Sequence, residues 1–310
     1  MSRYKGGLRG YGRFRPYYYL GLNVNAANYF GDLAPVNKAA STDVTFTRPG
    51  FGIHGGFKFH HSIAVRGELN WYRVFGDDFS SDPSSEIDRP RYLRNLSFRN
   101  DIKEFQAGVE IYLFPNYGSL ERRLVFNGYL FVGAAVLWHE PNGLVPDQDF
   151  QDPAAPAVAQ AGEWVRLRPL QTEGVKYGNI DFSIPLTLGA TFAIPRSKFN
   201  AGIEFGVRFL FTDYIDDVST NYKALDSFTD PLARILSDKS TVPVSATGEP
   251  RDLTILNINQ GADGFFRSID IGSGLEGSIR GNPDNNDLVF VSQIKLTYLI
   301  SRINRGSKFR

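Results

Sequence analysis

The chain has no cysteine, which excludes a disulfide framework and any thiolate metal site. It has no uninterrupted apolar run of about 18 residues, so no transmembrane helix is expected. A net charge of +1 over 310 residues, with no long basic run among stacking aromatics, gives no footprint for nucleic acid. Only four histidines occur, His54, His60, His61 and His139, and their spacing does not assemble a zinc site. There is no GxSxG elbow and no HExxH. Gly50–Gly55 and Gly272–Gly277 match GxGxxG, but the first falls inside a strand pattern and the second in a loop. Neither precedes the helix whose N-terminus would hold a pyrophosphate. No metal, cofactor, nucleic acid or small-molecule substrate is expected. A mean hydropathy of −0.25 suits a soluble protein. Transmembrane barrels escape that test too, because half of every strand is polar.

Aromatics make up 14% of the chain and glycine 31 residues, a composition for twisted sheets with aromatic belts. Between Lys198 and Ser219 the alternation is strict. Phe199, Ala201, Ile203, Phe205, Val207, Phe209 and Phe211 share one face; Asn200, Gly202, Glu204, Gly206, Arg208 and Thr212 share the other, with Leu210 the misfit. A period of two with one very apolar face predicts a strand with lipid outside and a narrow polar interior inside. Similar alternation predicts strands at about 16–26, 50–60, 62–75, 102–114, 181–194 and 288–300. The stretch 126–138 is apolar on both faces and fits least well.

Short links at 60–61, 115–125 and 195–198 alternate with long ones at 27–49, 76–101, 139–180 and 212–287. The expected fold is therefore all-β: an eight-stranded antiparallel transmembrane β-barrel over residues 16–300, with four long loops on one side and short turns on the other. An even strand number puts both termini on the short-turn side, which is periplasmic in an outer-membrane barrel. Tyr17–Tyr19, Trp71, Tyr72, Phe75, Trp138, Phe209, Phe211 and Tyr214 read as interfacial girdles.

The inward faces carry Lys58, Arg66, Arg208 and Lys295 against Glu68, Glu104, Glu110 and Glu204. Isolated charges in so narrow a space are costly, so they are expected to pair and plug the barrel. Asp213, Asp216 and Asp217, with Asp226 and Asp230, carry either a calcium site without EF-hand spacing or a polar end to the strand. Pro146–Gln160 reads as a mobile loop tip. Asp230-Pro231 reads as the cap and first position of a short helix. His139 with the loop aspartates is the one crude candidate for a barrel enzyme, and none is expected.

Residues 1–15 and 301–310 are basic segments; Arg13, Arg15, Arg302, Arg305 and Lys308 suit either phospholipid headgroups or an acidic periplasmic partner. The first residues lack the apolar core of a signal peptide, so an exported chain would have lost a leader ahead of them.

Several segments together resemble a known family: GLNVNAANYFGDL, RPGFGIHGGFKF, RNLSFRNDIKEFQAGVEIYLFP, YLFVGAAVLWHEPNG, WVRLRPLQTEG and EFGVRFLFTDYIDDVSTNY. Their order over roughly residues 16–223 and the last strand is similar to the PorG-like outer-membrane β-barrels of the Bacteroidetes type IX secretion system. The resemblance implies a non-enzymatic outer-membrane component of a protein-export machine that, in gliding species, also serves motility. Its implied partners are outer-membrane lipid and a periplasmic ring of a PorK-like lipoprotein and a PorN-like protein. The alternative is a small transporter or ligand-binding barrel using its long loops.

Overall fold

The computed structural model describes residues 14–33, 48–117, 123–270, 272–283 and 286–301. In chain order the strands are β1 (Tyr17–Phe30), β2 (Arg48–Lys58), β3 (Ile63–Asp77), β4 (Ser97–Tyr112), β5 (Phe126–Trp138), β6 (Pro141–Leu144), β7 (Trp164–Arg166), β8 (Ile180–Ala193), β9 (Phe199–Leu210), β10 (Ile258–Gln260), β11 (Phe266–Ser268) and β12 (Leu288–Ser301). Two short helices are α1 (Arg89–Arg94) and α2 (Pro231–Ser237). The eight long strands pair in the order β3-β2-β1-β12-β9-β8-β5-β4, and β4 pairs back onto β3. The result is a closed, antiparallel eight-stranded barrel. Closure removes the sheet edges that would otherwise leave backbone donors and acceptors unpaired in lipid.

β1 starts and β12 ends at the same rim as the connections 59–62, 113–125 and 194–198. The tight turn at His60 and His61 is closed by His60 N–H to Ile63 O at 3.2 Å and its reciprocal at 3.3 Å. On the opposite rim three strands outrun their expected ends. β1 continues to Phe30, β3 to Asp77, and β4 starts at Ser97. The register Asp77↔Ser97 continues the β3–β4 ladder into this zone. The outward face is no longer apolar there, so the pattern that marks lipid contact fades while the pairing does not.

Outside, the barrel is the inverse of a soluble protein. Leu20, Leu22, Val24, Phe51, Leu188 and Ile294 are each more than half exposed, up to 69% at Ile294. So continuous an apolar surface needs lipid against it. On β12 the outward positions run from Tyr298 to Leu288, ~33 Å along the strand and ~25 Å along the axis at the usual tilt, enough for an apolar band. Aromatics gather at both borders of the band. Tyr18–Phe57, Phe199–Tyr298 and Phe126–Phe192 meet near the short turns at ring separations of 4.6, 5.1 and 5.4 Å, and Phe51–Trp71 near the loops at 5.3 Å. Part of the expected girdle is elsewhere. Tyr19 and Tyr72 turn inward, at 6% and 0% exposure, because the alternation through Asn23 and Asn70 carries their faces into the lumen. Tyr214 stacks on Tyr177 in the loops, 4.5 Å apart.

The long connections fold over the barrel mouth as a cap. β6 pairs with the loop-side end of β4, and β7 with β6. α2 forms where Asp230 and Pro231 predicted it: the Asp230 carboxylate accepts from Leu232 N–H at 2.9 Å and Pro231 stands at the first position. Pro146–Gln160 is tied down near its start, and most of 153–160 is exposed. Asp149 and Gln151 are buried, and Gln151 Nε2 donates to Asp238 O at 2.6 Å. Its composition suits disorder, yet these side chains find partners more than 80 residues away.

A charge on the outward face should oppose insertion. Leu22→Arg, at the middle of the band, is expected to cost ~2–4 kcal/mol. Urea-dependent refolding into lipid vesicles measures it, with Leu22→Val close to wild type.

Candidate functional site

All eight luminal charges named from the sequence lie inside the barrel, each less than 5% exposed. Arg66 on β3 is their centre. Its Nη1 lies 2.8 Å from Glu110 Oε1 and 2.5 Å from Glu204 Oε1, and its Nε is 3.2 Å from Glu68 Oε2. Lys295 on β12 holds Glu68 and Glu204 at 2.9 and 3.0 Å. Arg208 on β9 faces Glu104 at 3.4 Å. Lys58 has no ion pair among the described residues; its Nζ stands over the Tyr112 ring, 3.3 Å from the centroid. The glycines opposite these groups make room for them: a Cβ on Gly206 would collide with Thr187 and Arg208.

Neutral groups finish the network, and sequence reading missed them. The Tyr19 and Tyr112 hydroxyls each donate to Glu110 Oε2 at 2.8 Å, Tyr72 donates to Glu104 at 2.8 Å, and Tyr129 donates to Glu204. The Arg66 guanidinium lies 4.0 Å from the Phe131 centroid. Tyr129 and Phe131 explain why β5 is apolar on both faces. Its inward aromatics line the charges, and that two-sided apolarity was the available signal.

Above the charged zone the lumen turns apolar. Ala27, Tyr72, Val74, Phe98, Ile102, Leu137, Leu210, Val289 and Val291 from the strands pack with Leu33, Leu96, Ile215 and Val218 from the loops. Leu210 interrupts the alternating polar face of β9 because it belongs to this plug. The lumen thus has an ionic lower part and an apolar stopper.

The acidic stretch after β9 is buried, not splayed toward a metal. Among the described residues no three side chains are grouped to hold an ion. Asp226 and Asp230 are exposed, away from the buried Asp216 and Asp217. Asp217 accepts from Thr172 and Tyr177 at 2.5 Å each. Tyr29 Oη lies 2.7 Å from Asp216 Oδ2 and 2.5 Å from Asp287 Oδ1. A phenol has one proton to give, so one of the two carboxyls must donate its own to the phenol oxygen. Burial raises both carboxyls well above the ordinary range, and for Asp216 the Asp287 charge adds to it. Burial also pushes Asp213 up to about 7 and Asp217 to about 6, the latter against the pull of Arg280.

Buried arginines staple the cap. Arg94 is bidentate to Asp78 at 2.7 and 2.8 Å and donates to Asp32 O and Arg280 O. Arg280 reaches Glu173 at 2.9 Å and Asp217 O at 2.6 Å. Arg251 donates to Tyr92 O and Val242 O, each at 2.7 Å. The planar fork of arginine suits joining several carbonyls from different loops.

His54 lies in the lumen, 2.9 Å from Thr297 Oγ1, and His139 meets Asp181 at 2.7 Å. Arg15 is exposed on the short-turn rim; Arg13, Arg302, Arg305 and Lys308 lie outside the described residues.

Closure, the apolar band and the sealed polar lumen define a transmembrane barrel of the outer-membrane class. No family model matches the chain, and no curated protein does. Several solved structures are similar to it, two of which follow. One is Ail, the attachment invasion locus protein of Yersinia pestis, in complex with the heparin analogue sucrose octasulfate. It matches at 8% identity over 93% of this chain and 100% of its own, with a TM-score of 0.37. The other is neisserial surface protein A (NspA), at 7% identity over 91% and 96%, with a TM-score of 0.35. Likenesses this loose carry no weight; the barrel is defined by its own strand pairing.

Arg66→Met strands three carboxylates, two of which keep Lys295, and is expected to cost ~3–5 kcal/mol in urea titration of the folded barrel. The cap should loosen as pH rises from about 4 to about 7. Its raised carboxyls keep their protons when folded and lose them when unfolded, so the unfolded state gains over this window. Lys239, pushed down to about 8 by burial, is charged in both states there and adds no slope. Asp216→Asn supplies an amide donor to Tyr29 and should flatten the slope, read as amide exchange of residues 212–222 at pH 5 and 7.

Proposed function

We propose that the protein is a non-enzymatic outer-membrane component of a type IX protein secretion machine, fixing the periplasmic ring to the membrane. The carrying observation is the sealed lumen. A barrel whose lower lumen holds charges paired except at Lys58, and whose upper lumen is packed by Phe98, Ile102, Leu137 and Leu210, offers no conduit, so it acts through its surfaces. β1 starts and β12 ends at the short-turn rim, and Arg15 is exposed there. In an outer-membrane barrel this rim faces the periplasm. The basic segments 1–15 and 301–310 give it a charge suited to an acidic partner.

The family resemblance supports the finer reading. Its most specific segment, EFGVRFLFTDYIDDVSTNY, spans β9 and the acidic corner. Asp213, Asp216 and Asp217 in that corner are buried. They serve the plug and cap, so their position opposite the short-turn rim does not compete with docking there.

Pull-down from membranes with mass spectrometry tests the reading. Wild type is expected to bring down PorK-like and PorN-like ring proteins. Reversing Arg302, Arg305 and Lys308 should weaken their recovery about tenfold. Undiminished recovery would sink docking at this rim, and steady conductance in planar bilayers would sink the sealed-anchor reading.

A further inference from the structure

The cap contains a cavity of about 320 Å³ that the secretion role does not use. It lies within the usual size of small-molecule pockets, ~300–1,000 Å³. Leu144, Val145 and Pro146 form one wall, and Val242 and Val244 another. Asp147, Thr247 and Gly248 line the pocket and are exposed, which marks the mouth; Val145 and Lys239 are buried. The opening therefore faces the loop side, away from the rim where ring docking is proposed.

Lys239 is the unusual member of the lining. It is 5% exposed, and its Nζ has one recorded hydrogen bond, a long one of 3.4 Å to Ser97 Oγ. No carboxylate among the described residues is within ion-pair distance of it; Asp77, Asp78 and Arg280 act on it from further away. Every other buried cation of the cap described above is tied to a carboxylate or to several carbonyls. Burial lowers Lys239 to about 8, so the ammonium persists at neutral pH. A second polar atom is also unmatched. Asn95 Nδ2 donates to Val244 O at 3.1 Å, which fixes the amide orientation, and Asn95 Oδ1 is left buried without a partner among the described residues. A buried ammonium with no carboxylate in ion-pair contact is costly, and an apolar wall beside it favours a hydrocarbon body.

We propose that this cavity binds a short-chain aliphatic carboxylate from the external medium, its head on Lys239 and its chain against Val145 and Val242. A hydroxyl near the head would satisfy Asn95 Oδ1. The site departs from the expectation that no small molecule is bound.

The test uses the full chain in lipid nanodiscs, with hexanoate as probe and 1-hexanol as its uncharged counterpart, read on valine methyl resonances. Saturable shifts at Val145, Val242 and Val244 are expected with hexanoate, and hexanol should bind at least about tenfold more weakly. Lys239→Met should remove that preference while methyls elsewhere stay unchanged. The proposal is overturned if hexanoate shifts none of the three valines. It is equally overturned if hexanol matches hexanoate on the wild-type protein, a comparison that needs no variant to fold.

Discussion

The interior of an eight-stranded barrel is too narrow to hydrate a charge, and Arg66 shows how this chain meets that constraint. One guanidinium stands among Glu68, Glu110 and Glu204, contributed by three strands, and rests on Phe131 from a fourth. Removing water strengthens each attraction and raises the cost of each unpaired group. The other inward residues follow from this. Lys295 supplies the second positive charge shared by two of the same carboxylates, tyrosine hydroxyls add donors to Glu110 and Glu204, and Asn23 takes the other oxygen of Glu68.

The lumen changes character along its axis. The ionic network ends near Arg208 and Glu104, and from Leu210 upward the core resembles that of a soluble protein. That core is shared between strand ends and loops, so cap and barrel are one packed unit. Arg94, Arg251 and Arg280 extend the unit outward by joining backbone carbonyls of different loops. A large loop-side structure held this way leaves the barrel closed to passage. The two ends outside the apolar band then differ: a short-turn rim carrying the exposed Arg15 on one side, and a folded cap with its own cavity on the other.

The Asp216–Tyr29–Asp287 cluster joins these parts. It lies where β1, the chain after β9 and the start of β12 converge. Its carboxyls also accept from Val218 N–H and Ile215 N–H, whose side chains belong to the plug. These contacts tie the plug to the cap. A calcium site would instead need the carboxylates open to an ion.

Alternation by itself marked seven of the eight barrel strands, with their lipid-facing residues and the eight luminal charges; β5, apolar on both faces, was the exception. That is because facing is a local property: successive side chains point to opposite sides whatever the partner strand is. Asp230-Pro231 likewise specified α2 within a few residues. Which charges meet was decided only in the tertiary structure, since Arg66 and Glu204 are 138 residues apart and are brought together by closure and register. The same holds for Tyr72 as a luminal donor, for Leu210 as plug instead of misfit, and for the burial of Asp149 and Gln151. Where local periodicity ends, placement depends on long-range contacts with no sequence period, and only the folded chain supplies them.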